Sequence, residues 1–289
     1  VCVNQDSQST LYTAGWKNRE KQIPTDPNSL FKIASISKLY IAAATVKLVS
    51  DGKLSLESSL AELIPEVADS IEYAYEITLE MLLQHRSGIP EFIYDEEFAN
   101  RDPHESYLET ANLVFNKGAD FKPGKRYSYS NTNYLLIGEI LDRTLGFSHH
   151  TYIKDVILNP LQLKHTFSLL SEVDSNDVMS GYYVGYDYDL KMNDYTRPGG
   201  SMIATAEDVS IFLRALIDGT LFSEEEQDIY SSVYKYEYTG WLKGYTSIAR
   251  YESDIDAVIV QFVSTSKGEM FWLGLERSYN RILKAIKKP

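Results

Sequence analysis

From Ile36 to Val46 the chain reads Ile-Ser-Lys-Leu-Tyr-Ile-Ala-Ala-Ala-Thr-Val, and Lys38 is the only charge in that run. A helix apolar on nearly every side belongs in an interior, and a buried ammonium is costly unless it is paired or used. A fold for this chain therefore has to enclose residues 35–50, which Asp51-Gly52 closes, and has to satisfy Lys38. Ser35 stands three residues earlier on the same helical face. It falls in the first turn, where unbonded N–H groups and the helix dipole favour a developing negative charge. The structural alternative makes Ser35 a cap and lets Lys38 reach toward water.

Ser-x-x-Lys alone is a weak signal. It also occurs at Ser29/Lys32, Ser50/Lys53, Ser232/Lys235 and Ser264/Lys267. Context separates these. Ser50/Lys53 spans the Asp-Gly turn, Ser264/Lys267 follows a strand in a polar turn, Ser232/Lys235 has no helix signal around it, and Ser29/Lys32 reads as loop. Only Ser35/Lys38 puts its lysine inside an apolar helix. Further along, Tyr129-Ser130-Asn131 follows the turn signal Phe121-Lys122-Pro123-Gly124 and precedes a helix starting near Thr132. A loop entering a helix can project a phenol and an amide into a cleft; the bland alternative is a packed Tyr129 and a capping Asn131. A hydroxyl, a lysine one turn away and a phenol with an amide are the parts of a serine acyl-transfer site that needs no catalytic histidine.

The wider pattern places strands at both ends around a helical middle. Residues 1–3 and 9–17 read as a hairpin across the polar stretch 4–8. Helix signals cover 78–85, 103–115, 132–145 with Gly146 beyond, and 151–158. The aromatic stretch 182–195 reads as strand or long loop. Thr205 caps a helix over 206–217 with Gly219 as its stop. Strands follow over 241–251 and 257–265, then a helix over 271–287. This predicts an α/β (α+β) fold: an antiparallel sheet built from about 1–50 and 200–289, flanked by helices, with a mostly helical region over about 51–199. No separable second domain is expected, so 1–289 is read as one catalytic unit.

Charge and metal-ligand content narrow the partners. A net charge of −13 disfavours nucleic acid and anionic membrane. Cys2 is the only cysteine, and the five histidines (His85, His104, His149, His150 and His165) show no His-x-x-x-His spacing, so no metal site or cofactor is expected. No apolar run is long enough to span a bilayer. Val1-Cys2-Val3-Asn4 reads as mid-strand, with the expectation that further sequence, an export signal included, precedes it.

These motifs, taken in order, resemble the serine β-lactamase and penicillin-binding superfamily, in its class C and DD-peptidase-like branch with the family VIII esterases. The resemblance rests on Ser35-x-x-Lys38, on Leu82-Leu83-Gln84-His85-Arg86-Ser87-Gly88-Ile89-Pro90, and on Phe121-Lys-Pro-Gly124 before Tyr129-Ser-Asn131. It continues through Pro198-Gly199-Gly200-Ser201-Met202 and Ala204-Thr205-Ala206-Glu207-Asp208. It implies a sheet from both chain ends, a helical insertion, an active site between them, and an N-terminal helix ahead of the first strand. It also implies that Ser35 is acylated, that Lys38 and Tyr129 share the proton work as a coupled pair, and that Asn131 holds Lys38 and donates to substrate. By the same resemblance the protein is exported, to the periplasm or cell surface.

The family's third motif is a Lys or His, then a small polar residue, then Gly, and here it reads Tyr238-Thr239-Gly240-Trp241. The resemblance implies that the Trp241 N–H is an oxyanion donor beside that of Ser35. Tyr238 stands where the family has a cation or histidine that receives a substrate carboxylate, and a neutral phenol attracts a carboxylate more weakly. The expected substrate is therefore a small ester, amide or peptide. A true β-lactamase or DD-carboxypeptidase drawing its cation from Lys243 or Arg250, and a penicillin-binding receptor that does not turn over, are the alternatives. His85 is read as structural and 182–195 as cleft wall.

Overall fold

The computed structural model describes residues 1–6, 8–268 and 270–287. Its main sheet is antiparallel and five-stranded, in the order Gln8–Leu11, Cys2–Gln5, Ala257–Val263, Tyr245–Glu252, Glu237–Leu242. Both chain ends build it, as expected. Val3 lies opposite Ile259 and Cys2 opposite Val260, so the two-residue period of the strands gives the sheet two apolar faces. On one face Val3, Ile248 and Ile259 pack with Leu275 and Tyr279 of the Met270–Ile286 helix. On the other, Cys2, Ala249, Val258 and Val260 join a core shared with the Ala206–Ile217 helix.

That core continues through the Ser37–Ser50 helix into the middle of the chain, where Leu60, Leu82, Leu136 and Ile140 belong to the same cluster. The helix is buried all round, with Leu39, Tyr40, Ala42, Ala43 and Val46 inaccessible. Tyr40 stacks on Phe212 at 3.7 Å and 10°. The Asn131–Leu145 helix packs against it, and Thr205 caps its own helix by accepting the Asp208 N–H.

Several expected boundaries shift. The second strand stops at Leu11, and a separate small pair, Trp16–Asn18 with Ile23–Pro24, follows it; Ser7, in the expected first turn, lies outside the described residues. The stretch 182–195 contributes only the short strand Tyr182–Tyr183, paired with Thr265–Ser266. Other short strands, Phe31–Lys32, Thr166–Phe167 and Ile203–Ala204, tie the middle to the ends. The expected strand 241–251 is in fact a hairpin, because Lys243-Gly244 turns the chain between Leu242 and Tyr245. Ahead of it, Ser232 lies in a helix, Glu224–Val233, closed at its start by a Ser223/Glu226 capping box. Ser223-Glu224-Glu225-Glu226 is the local signal for that helix, which corrects the expectation of no helix around Ser232.

Candidate active site

The chain reaches Ser35 through a strained turn. Ala34 adopts a left-handed backbone (φ 54°), unusual for a residue with a β-carbon, and Ala34–Ile36 forms a single 3-10 turn ahead of the Ser37–Ser50 helix. Neighbours on all sides hold that turn. Ser247 Oγ donates to the Ile33 carbonyl (3.1 Å), Ser37 Oγ donates to the Ala34 carbonyl (2.6 Å), and the Ile33 N–H donates to Met202 (3.0 Å). Gly240, on the edge strand of the sheet, lies against the same turn. A β-carbon there would come within 2.3 Å of the Ile33 carbonyl oxygen and of Ser247 Oγ, so only glycine lets strand and turn approach this closely.

Around Ser35 the structure brings together four of the expected side chains. Ser35 Oγ is 2.7 Å from Tyr129 Oη. Lys38 Nζ donates to Ser35 Oγ (3.3 Å), to Asn131 Oδ1 (2.9 Å) and to the Gly199 carbonyl (2.8 Å). Tyr129 also donates to Asn131 Oδ1 (3.2 Å), and in that arrangement Ser35 is the donor to Tyr129. Lys38 is fully buried. Its ammonium sits 5.1 and 5.0 Å from the ring centres of Tyr129 and Tyr134, with neutral oxygens as hydrogen-bond partners. Burial brings its pKa down to about 7, against the opposing pull of Glu91. Tyr129 is partly exposed in the cleft, but the packed surroundings of its hydroxyl raise its pKa above the usual phenol range, and its contacts with Ser35 and Tyr238 pull the other way. Of the coupled pair, Lys38 is thus the group that loses its proton near neutrality.

Glu91 and Gly199 belong to this network; Glu91 carries no signal in the sequence, and Gly199 stands in the Pro198–Met202 segment without a role read from it. Glu91 Oε2 accepts both the backbone N–H (2.6 Å) and the Nδ2 (2.9 Å) of Asn131, so one amide hydrogen of Asn131 is already committed. Gly199 has φ 76°, and a β-carbon there would meet Lys38 Cγ at 2.9 Å. Its carbonyl can approach the ammonium only because the residue is glycine.

His85 is buried and not part of the proton chain. Its Nδ1 accepts the Ser130 N–H (3.2 Å), which leaves the ring proton on Nε2, facing the Tyr238 hydroxyl at 3.2 Å. Burial, reinforced by the Lys38 charge, holds its pKa down at about 3. Tyr238 is itself buried, 8% exposed, stacks on Tyr234 and lines the cleft; its hydroxyl oxygen accepts from His85 and its own O–H proton remains free to donate.

The edge strand also presents a backbone donor. Leu242 opposite Tyr245 closes the hairpin as a hydrogen-bonded pair, so alternation makes Trp241, opposite Thr246, a non-bonded pair. The Trp241 N–H therefore points away from the sheet at its free edge. Ser35, Tyr129, Asn131, Tyr195, Thr239 and Trp241 line one cleft of about 1110 Å³, together with Phe92, Phe98 and Trp272. Of the two cations considered from sequence, Arg250 is held by Glu276 through two bonds (2.8 and 2.7 Å). Among the described residues, the hydrogen-bond partner of Lys243 is the Tyr186 hydroxyl at 3.4 Å, and its ammonium also lies over the Tyr186 ring.

Known proteins share this architecture. D-amino acid amidase from Ochrobactrum anthropi SV3, solved with L-phenylalanine amide, superposes with a TM-score of 0.86 at 22% identity, covering 99% of this chain and 92% of that one. Among curated proteins, Protein flp of Staphylococcus aureus (strain MW2) is 27% identical over 205 residues, 69% of this chain. Penicillin-binding protein 4* of Bacillus subtilis (strain 168) is 29% identical over 192 residues, 65% of this chain. Each alignment takes in 41% of the relative, so the chain spans about two fifths of the length of the curated relatives it matches. The sequence model of the family described as Beta-lactamase matches residues 1–268, and the chain belongs to the β-lactamase family.

Proposed function

We propose that this chain is a serine hydrolase that turns over a small ester, amide or peptide through an acyl-enzyme on Ser35. The observation that carries the reading is Ser35 Oγ held 2.7 Å from Tyr129 Oη and 3.3 Å from a buried Lys38 Nζ. A lysine that is neutral near pH 7 can take the Ser35 proton as Oγ bonds to the substrate carbonyl carbon. The backbone N–H groups of Ser35 and Trp241 receive the charge that develops on the carbonyl oxygen. When the carbonyl re-forms, the bond to the leaving group breaks, and Tyr129, resupplied by Lys38, protonates the departing oxygen or nitrogen. Water then attacks the carbonyl carbon of the Ser35 ester, the bond from that carbon to Oγ breaks to release the acid, and the proton lost by the water returns to Ser35 Oγ by way of Lys38 and Tyr129. Asn131 holds Lys38, with one amide hydrogen left for the substrate. The sheet side and the helical side each contribute to this cleft, and the chain acts as one catalytic unit in an exported protein.

The named neighbours, an amidase and a penicillin-binding protein, fit acyl transfer at an amide or peptide carbonyl. With a neutral phenol at Tyr238 in place of a cation and Arg250 held by Glu276, the cleft favours substrates without a carboxylate at the third-motif position. A β-lactamase or carboxypeptidase activity is favoured by Lys243, which lines the cleft and has no carboxylate contact among the described residues. Turnover of a neutral acyl ester and of a penicillin by the same preparation decides between them. A kcat/KM for the ester at least tenfold above that for the penicillin supports the first; the reverse order overturns it.

A further inference from the structure

Lys38 is buried among neutral acceptors, and the acidic charge that acts on it is Glu91, one residue behind it in the network. Glu91 Oε2 accepts the Asn131 N–H at 2.6 Å and Asn131 Nδ2 at 2.9 Å, and Oε1 accepts the Ile93 N–H at 3.3 Å. Burial raises the Glu91 pKa above the usual carboxylate value, while these three N–H donors and the Lys38 charge pull it back toward the ionised form that they address. An ionised carboxylate only accepts, so Glu91 admits only the NH2 end of the Asn131 amide. The carbonyl end is then turned toward Lys38 (2.9 Å) and Tyr129 (3.2 Å). Reversed, the amide would aim N–H groups at an ammonium and at a phenol proton.

We propose that Glu91 is a positioning residue of the acyl-transfer site: it fixes the orientation of the Asn131 amide and, through it, the place of Lys38. The assignment rests on the Ser35–Lys38 reading above. The titratable groups that face Lys38 are Tyr129, Tyr134, His85 and Glu91. The phenols are neutral near pH 7, since burial raises both, and burial keeps His85 neutral. Glu91 is thus the charge that opposes burial and helps Lys38 keep its proton. Its removal moves the pH at which Lys38 becomes a free base toward acid, by about one unit for an opposite charge at this kind of range.

The test is the rate of Ser35 labelling by a fluorophosphonate across pH 5–9, read by intact mass, for wild type, Glu91→Gln and Glu91→Asp. Glu91→Gln should lower the plateau rate about ten- to a hundredfold, the effect of a lost charge-assisted hydrogen bond, and move the rising limb about one pH unit to acid. Glu91→Asp keeps the charge and should keep the limb at the wild-type position. In an Asn131→Ala background Glu91→Gln should add little to the loss of plateau rate, because Glu91 positions Lys38 through Asn131, while the displacement of the limb, a direct effect of the charge, should persist. An unmoved rate and limb in Glu91→Gln, or losses that multiply with Asn131→Ala, overturn the proposal. Should Glu91→Gln fail to fold, Glu91→Asp decides: a limb displaced to acid there contradicts the role assigned to the charge. A wild-type chain that takes no label overturns the acyl-transfer reading and this proposal with it. A labelled wild type with an indifferent Glu91→Gln overturns this proposal alone.

Discussion

Lys38 should reveal its low proton affinity in stability as well as in rate. In the folded chain burial brings its pKa to about 7, against an ordinary lysine value of 10.5. Above the ordinary value the side chain is neutral in both states and contributes nothing. Between the two values the unfolded chain holds a proton that the folded chain does not, so stability rises with pH. Below about 7 both forms are protonated and the full penalty of burying the charge is present. Each unit in that window is worth 1.36 kcal/mol, so the lysine should add about 3 kcal/mol of stability between pH 7 and 9.5. A Lys38→Met variant lacks this term and also loses the hydrogen bonds to Asn131 and Gly199. The hydrogen-bond loss shifts its whole curve, so the informative quantity is the difference in slope. Urea unfolding of both proteins across pH 7–9.5 reads it, and the other titrating groups largely cancel in the comparison. The same pKa should appear in wild-type kcat/KM on a neutral ester, rising tenfold per unit below about pH 7 and level above. Stability curves that run parallel for the two proteins would show that Lys38 is an ordinary lysine, and the case for it as the base would fail.

Lys38→Ala and Tyr129→Phe should each cost several powers of ten in turnover, and the double variant little more, since they handle one proton; losses that multiply would assign them to separate steps. Gly240→Ala drives a methyl into the Ile33 carbonyl and Ser247 Oγ. It should destabilise by about 1–3 kcal/mol as overpacking does, with turnover falling at least a hundredfold while the variant still melts cooperatively; near-wild-type turnover would mean that the strand does not hold the Ser35 turn. Tyr238→Lys should raise the ratio of penicillin to neutral-ester turnover by about ten- to a hundredfold, the worth of a charge-assisted contact of roughly 1.5–3 kcal/mol; an unchanged ratio would remove this position from substrate selection.

What could be read from sequence was what local pattern determines. The apolar run around Lys38 announces a buried helix because every face of it is apolar, and Gly146 and Thr205 mark helix ends by their own backbone chemistry. The helix at Glu224–Val233 carried an equally local signal in Ser223 and Glu226. The hairpin at Lys243-Gly244 merged into one expected strand because both arms are strand-forming and the turn is only two residues long. Glu91 could not be identified in this way, and Gly199, though within the Pro198–Met202 motif, could not be given its role as a Lys38 acceptor. Each meets Lys38 or Asn131 from a distant segment, and nothing in the Ile89-Pro90-Glu91 stretch distinguishes a carboxylate facing inward from a solvated one. The left-handed Ala34 is likewise imposed by Gly240, Ser247 and Met202 from elsewhere in the chain. Tyr238 was singled out as a departure from the family's third motif, but its engagement with His85 depends on two segments far apart in sequence.

The central claim, a covalent intermediate on Ser35, is tested most directly by locating the label. Wild type treated with a fluorophosphonate and digested should carry a single stoichiometric adduct on Ser35. Ser35→Ala should take none while melting at the wild-type temperature, because a small residue replaces a small one in an intact turn. An adduct on another residue, or labelling of Ser35→Ala at the wild-type rate, would place the nucleophile elsewhere and contradict the account.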